Sequence, residues 1–313
     1  MLLIGCSKEE PVSSDSAPQD ASYSMRLSID LWPGYYPAII AKEKGWFKDA
    51  GLNLKLDLPG NTDKMLALFS AGSIDAVAVA FGDAILVTRQ MPDIAVILVT
   101  DESAGGDAVL SMNKEVLSDL KGKRIGTNLG GFGELLIRRM LDLQGVKVNE
   151  VNLVNVDASK VPDLLDSGGL DVGHTWSPYV GQAIEKGANI IFSSADTPGL
   201  IPDTVAVSGE FRRSKPEAVK IFLDVWFKAQ NWWLTHYQEG NQLIAEATGQ
   251  RVTSITLEGI RLLDREANVA TFNDATSEQG LPNVLKTYNE FYARAGVIRT
   301  PAAPSILASE FLQ

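Results

Sequence analysis

Short runs of almost wholly apolar residues, separated by amphipathic segments, constrain this chain more than any other feature. IDAVAVA, residues 74–80, is unbroken small apolar sequence, the character of a strand buried on both faces. Such a strand needs helices above and below it, and the flanking sequence supplies them. MRLSIDLW reads as a strand, YPAIIAKEKGWFKDAG as an amphipathic helix closed by Gly51, and LNLKLDL as a second strand. NTDKMLALFSAG opens on a capping residue and ends at Gly72, and the order continues through FGDAILVTRQ and DIAVILVT. The pattern predicts an α/β layout with a largely parallel sheet.

A second alternating series begins near residue 110. KGKRIGTN, VNLVNV, LDVGHTW and ANIIFSS read as strands, with GGFGELLIRRMLDLQG, ASKVPDLLDSGG and SPYVGQAIEKG as the helices between them. DTVAVS then reads as a short strand leading back to the first series. The remainder, including KPEAVKIFLDVWFKAQNWWLTHYQEG, NQLIAEATG, SITLEGIRLLDR and LPNVLKTYNEFYARAG, is expected to be mainly helical. A helical tail without a sheet of its own needs an apolar surface to cover, so it is expected on the first series. At 313 residues the chain exceeds the size at which one core usually divides, which predicts two lobes.

Charge and composition remove several classes of function. With 28 basic against 39 acidic residues the net charge is -11, a field that repels nucleic acid and anionic membrane. One cysteine allows no disulfide within the chain, and two histidines leave little for a zinc site. No apolar run reaches the length of about 18 residues that a membrane span needs. The serines lie outside any GxSxG elbow, no carboxylate pair is assignable as acid and base, and His174 reads as a satisfied core residue.

Ligands of open α/β sheets bind where strands end and helices begin. Trp32, Tyr35 and Tyr36 surround a Pro-Gly turn at the end of the first strand. Pro59-Gly60-Asn61-Thr62 and Phe81-Gly82-Asp83 hold the corresponding positions after later strands, although Asn61, Thr62 and Asp83 are also ordinary residues of a helix start. Asn128 to Gly133 joins a strand to a helix through three glycines but matches no nucleotide motif. Trp176-Ser177-Pro178-Tyr179 repeats the aromatic and proline composition of residues 32–36, as two facing sets in a closing cleft would.

Cys6 follows LLIG and precedes SKEEPVSSDSAPQDAS, a polar tract that reads as a flexible tether. Leu3-Ile4-Gly5-Cys6 resembles a bacterial lipobox, which implies lipidation of Cys6, an upstream signal peptide, and a membrane-anchored, extracytoplasmic lipoprotein.

Five separated segments, WPGYYPAIIAKEKGWFKDAGL, GSIDAVAVAFGDAI, DESAGGDAVL, DLKGKRIGTNLGG and SADTPGLIPDTVAV, carry a wider resemblance. Over roughly residues 25–297 the chain resembles the nitrate, sulfonate, taurine and thiamine-precursor group of substrate-binding proteins of ATP-driven (ABC) importers. The resemblance implies an α/β, bilobal, type II periplasmic-binding-protein-like fold, with two mixed-sheet lobes and a hinge near residues 101–110 and 203–210. It divides the chain into a lipobox remnant and tether at 1–24, a first lobe at 25–107 plus 206–313, and a second lobe at 108–205. Carried onto this sequence, its ligand site takes in Trp32, Gly34, Tyr35 and Tyr36, then Gly60, Asn61 and Thr62, then Phe81, Gly82 and Asp83. Glu102 and Asp107 lie at the outward crossing, Gly130, Gly131, Phe132, Trp176 and Tyr179 in the second lobe, and Asp203 at the return crossing.

The resemblance implies a monomeric, non-catalytic protein whose partners are a small-molecule solute and the importer's membrane permease subunits. No cofactor, metal or nucleic acid is expected. The alternatives are a secreted enzyme or a ligand sensor on the same bilobal fold. Sulfonate or nitrate would call for donors aimed at an anion, whereas Asp83, Glu102, Asp107 and Asp203 beside aromatic rings would suit a nitrogenous cation. The sequence leaves these two solute classes level.

Overall fold

The computed structural model describes residues 22–313, so Cys6 and nearly all of the tether lie outside the described residues. The first alternating series forms β1 (Tyr23–Ser28), α1 (Pro37–Glu43), α2 (Trp46–Asp49), β2 (Leu52–Asp57), α3 (Thr62–Ser70), β3 (Ala76–Ala80), α4 (Phe81–Val87) and β4 (Ala95–Ser103). The helix expected after β1 is split into α1 and α2 by Gly45, whose φ of 74° turns the chain in a way other residues resist. The second series forms β5 (Asp107–Ser111), β6 (Arg124–Thr127), α5 (Phe132–Leu143), β7 (Asn152–Asn155), α6 (Val161–Asp166), β8 (Val172–Trp176), α7 (Tyr179–Glu185) and β9 (Asn189–Ser193). Then β10 (Pro202–Val207) returns to the first unit. It is followed by α8 (Gly209–Ser214), α9 (Pro216–Thr235), α10 (Tyr237–Thr248), β11 (Ile260–Leu262), α11 (Arg265–Asn273) and α12 (Leu281–Arg294).

The strands make two sheets, ordered β11-β4-β10-β3-β1-β2 and β7-β6-β8-β5-β9. The fold is therefore bilobal, with a mixed sheet in each lobe. Within the first sheet β1 runs parallel to β2 and β3, but β10 is antiparallel to both β3 and β4. The largely parallel sheet expected from strand-helix alternation is corrected here, because β10 enters from the other lobe and so runs the opposite way. All of β10 pairs inside the first sheet, so the return crossing lies before Pro202, ahead of the expected boundary at residues 205 and 206.

SITLEGIRLLDR, expected as helix, instead contains the edge strand β11 paired antiparallel with β4. Gly259 explains the change: its φ is 74° and a Cβ there would lie 2.5 Å from the Gly106 backbone nitrogen. Its carbonyl accepts from the Ala104 and Gly106 N–H groups at 2.7 and 2.9 Å, which ties this segment to the outward crossing.

The helical tail covers the first sheet, as its lack of a sheet of its own requires. Phe222, Trp226 and Trp233 of α9 are buried in the first-lobe core, and Phe222 stacks on Phe47 of α2 with ring centres 5.7 Å apart. In the second lobe separate apolar clusters form around Ile125, Leu136 and Met140 and around Ala108, Val161 and Ala183. The ends of β1, β3 and β8 meet the starts of β5, β10 and α5 where the chain crosses between lobes. That junction holds the candidate site.

Candidate functional site

The end of β1 sets one wall. After Asp30 and Leu31, a turn at Pro33–Tyr35 starts on a proline whose fixed φ suits a helical first turn. It buries Trp32 so that the indole Nε1–H points at Asp101 on β4, 3.1 Å from each carboxylate oxygen. Thr100 donates its hydroxyl to the same carboxylate at 2.7 Å. Gly34 is necessary for this approach, because a Cβ there would fall 1.6 Å from the Asp101 Oδ2. The Tyr35 hydroxyl donates to Asp203 Oδ1 at the start of β10.

A narrow cavity of about 40 Å³, room for a few water molecules, lies between the lobes. Its first-lobe side is formed by Asp30, Trp32, Tyr35, Thr62, the end of β3, Asp83 and Asp203; its other side by Asp107, Phe132 and Trp176. An adjoining recess shares Asp30, Thr62 and Trp176 and adds Gly60, Asn61 and Tyr179. Phe132 and Trp176 lie 5.7 Å apart, and Trp176 and Tyr179 6.5 Å apart, so the second lobe presents a continuous aromatic face.

The remaining expected residues do not line the cavity itself. Tyr36 turns into the first-lobe core, 6.2 Å from the Trp233 ring, with its hydroxyl accepting from Gln250 Nε2 at 2.7 Å. Phe81 meets Tyr288 edge-on, and Gly82 faces Tyr288 and Tyr292 of α12, because the first turn of α4 packs on that helix. Glu102 is drawn away from the cavity by Arg261 of β11, 2.5 Å off. Gly130 donates its N–H to Glu134 Oε2 at 2.8 Å, and Gly131 at the head of α5 sits beside the cavity, where a Cβ would lie 3.8 Å from Asp83 Oδ1. Asn61 caps α3 by accepting the Lys64 N–H at 2.9 Å.

Two residues escaped sequence reasoning. Asp30 accepts from the Thr62 hydroxyl at 3.1 Å and lines both the cavity and the recess; its signal was its place at the same strand end as Trp32. Asp101 was noticed only as the edge of a crossing, yet it anchors Trp32. His174 lies behind Asp107, its Nε2 3.2 Å from Asp107 Oδ1 and its Nδ1 3.2 Å from the Thr127 hydroxyl. With the Asp107 carboxylate as acceptor, Nε2–H donates to it and Nδ1 is placed to accept the Thr127 hydroxyl.

The carboxylates are buried together. Burial pushes Asp83 up to about 7, with the charges of Asp63 and Asp107 adding to the effect. Burial likewise raises Asp101 above the ordinary range against the opposing hydrogen bonds from Thr100 and Trp32. Asp203 is raised well above the ordinary range by burial and by Asp101, despite the Tyr35 hydroxyl. Among the described residues no group of three or more His, Cys, Asp or Glu is arranged to hold a metal ion.

These shifts predict a pH dependence. The folded values of Asp83 and Asp101 exceed the ordinary aspartate value of 3.8, so between about pH 4 and 7 the folded chain holds protons that the unfolded chain has released. Solute-free stability therefore falls as pH rises through that window and levels off above it, as far as these two groups are concerned. Asp75 and Asp171, held low by bonds to Arg26 and Arg124 against the opposing effect of burial, lose their contributions only on acidification, so neither adds to the slope between pH 5 and 8. Urea midpoints should be higher at pH 5 than at pH 8. Asp83→Asn should flatten this slope and stabilise the chain at pH 8 by on the order of 3 kcal/mol; a variant slope equal to that of wild type contradicts the assignment.

The comparisons agree with this architecture. Residues 32–240, more than half of the chain, match the family model described as NMT1/THI5 like. A Bacillus subtilis (strain 168) protein named for aliphatic sulfonate binding is 25% identical over 254 residues, covering 78% of this chain and 74% of that protein. The alkanesulfonate-binding protein SsuA from Xanthomonas axonopodis pv. citri, solved with MOPS, superposes with a TM-score of 0.74 at 15% identity, covering 93% of this chain and 99% of that one. The periplasmic nitrate-binding protein NrtA from Synechocystis PCC 6803 gives a TM-score of 0.74 at 14% identity, covering 95% and 88%. With two mixed-sheet lobes, two crossings and a match that runs from the Trp32 turn into α10, this chain belongs to the NMT1/THI5-like family.

Proposed function

We propose that this protein is an extracytoplasmic solute-binding protein that closes its two lobes on a small organic or oxyanion solute and delivers it to the membrane permease of an ABC importer. The observation that carries this reading is the inter-lobe cavity, whose aromatic rings come from both sides: Trp32 and Tyr35 from the first lobe, Phe132 and Trp176 from the second. A solute between those rings contacts both lobes only when they approach, and that differential contact is what allows binding to drive closure. The names of the similar proteins, which cover alkanesulfonates and nitrate, support a small solute of this size class. On this reading the protein binds its solute without transforming it, and the cavity's paired groups serve to position one another.

The hinge lies in the two crossings, between Ser103 and Asp107 and between Ser193 and Pro202, which separate a first lobe built on the first sheet and tail from a second lobe built on the second sheet. At about 40 Å³ the cavity is too tight to admit an organic solute unless the lobes part. An ion pair of 3.0 Å between Arg251 and Glu185 of α7 bridges them, but both side chains are largely exposed and the pair is worth at most about 1 kcal/mol. X-ray scattering tests the reading: adding the cognate solute to solute-free protein should reduce the radius of gyration, and an unchanged radius at saturation would count against closure.

Anchoring is part of the same proposal and rests on the lipobox-like LIGC sequence. With a complete signal peptide supplied, the protein is expected in the membrane fraction, and Cys6→Ser should release it. Identical partitioning of the two would remove the lipid anchor from the account.

A further inference from the structure

We infer that the solute is a small organic cation that donates hydrogen bonds to the cavity carboxylates, of the amine, amidine or guanidine class, and not a sulfonate or nitrate. The inference rests on the inter-lobe cavity being the solute site and adds the charge that site selects.

The first support is the state of the donors. Trp32 gives its N–H to Asp101, Tyr35 its hydroxyl to Asp203, and Thr62 its hydroxyl to Asp30. Behind the wall His174 does the same for Asp107. Among the side-chain donors of the described lining residues only the Trp176 indole N–H lacks such an acceptor, which leaves an oxyanion that N–H and the first-turn backbone N–H groups of Thr62, Asp83 and Phe132. No lysine or arginine lines the cavity. Arg138 of α5 and Arg261 of β11 are already matched, by Glu134 at 2.6 Å and by Glu102 at 2.5 Å. At the head of α5 the Gly130 N–H is likewise taken by a carboxylate. An oxyanion entering here would meet the side chains of Asp30, Asp83, Asp107 and Asp203 with no cationic side chain to offset them.

The second support is Asp83. Its carboxylate lines the cavity, the residue is 7% exposed, and among the described residues no hydrogen bond or ion pair reaches it. A buried acceptor of this kind is costly unless a donor arrives, and a charged donor satisfies it best. Asp83 belongs to the first turn of α4, which accounts for tolerance of its charge but supplies no donor to its oxygens. The surrounding aromatic faces add attraction for a cation, an effect that strengthens when water is excluded.

Calorimetric titration of the full chain at pH 8 tests this with benzamidine, choline and agmatine against benzenesulfonate, ethanesulfonate and nitrate. Binding of at least one cation is expected, weakened tenfold or more by Asp83→Asn and also weakened by Asp30→Asn, a partly buried position outside the hydrophobic core. A cation that binds wild type and both variants equally overturns the assignment to these carboxylates. Binding of an anion and of no cation overturns the charge class, and if Trp176→Ala abolishes that binding the inter-lobe reading survives. If no member of either set binds, the charge class and the inter-lobe reading fall together.

Discussion

Trp32→Ala is expected to lower unfolding free energy by about 3–5 kcal/mol, the cost of emptying a large aromatic site in a packed core. Trp32 is 4% exposed, its ring fills the space beside Gly106, and its indole N–H is a principal donor to the buried Asp101 carboxylate. Trp176 is the contrasting case. Its ring is partly exposed and bounds the cavity from the second lobe, so Trp176→Ala is expected to change stability by less than about 1 kcal/mol while weakening solute binding at least tenfold, about 1.4 kcal/mol. Urea midpoints and calorimetric affinities for the two variants check both halves. Equal stability losses with intact affinity would make both rings core residues and remove the aromatic clamp.

The second large effect is expected at a position with no side chain. Gly34→Ala places a methyl 1.6 Å from Asp101 Oδ2 and 2.9 Å from the Trp32 indole nitrogen. Relief requires Asp101 to move, which breaks the Trp32 and Thr100 hydrogen bonds to a buried carboxylate. Overpacking commonly costs about 1–3 kcal/mol, and the lost bonds place this variant at the upper end or beyond it. A urea midpoint within error of wild type would show that the close approach of the Pro33–Tyr35 turn to β4 is not a constraint. The variant should also bind solute more weakly than its stability loss explains, because Trp32 forms part of the wall.

Much of this architecture was legible because its periodicity is local. The all-apolar run that became β3, the amphipathic series around it and the glycine stops identify strands, helices and a second lobe without tertiary information. The candidate site was legible as strand ends, and of the residues expected there Trp32, Tyr35, Thr62, Asp83, Phe132 and Trp176 line the cavity. What the sequence does not display is which way a side chain faces once the turn is made. Tyr36 follows Tyr35 directly yet points into the core, and Phe81 and Gly82 precede Asp83 yet face α12. Glu102 and Asp107 look alike in a crossing, but Arg261 of the unforeseen strand β11 captures one and leaves the other at the cavity. That strand was hidden because a leucine- and isoleucine-rich segment suits a helix locally; Gly259 against the Gly105-Gly106 backbone decides otherwise. Antiparallel β10 was hidden for a similar reason, since direction depends on where the crossing delivers the chain.

Mass spectrometry of small molecules released by denaturing protein purified without added ligand bears most directly on the central claim, that a solute is held between rings of the two lobes. Wild type should release one compound at close to one equivalent, carrying a positive charge, and Trp176→Ala prepared in parallel should release much less of it. Release of the same compound in the same amount from both proteins would place the solute elsewhere and contradict the account.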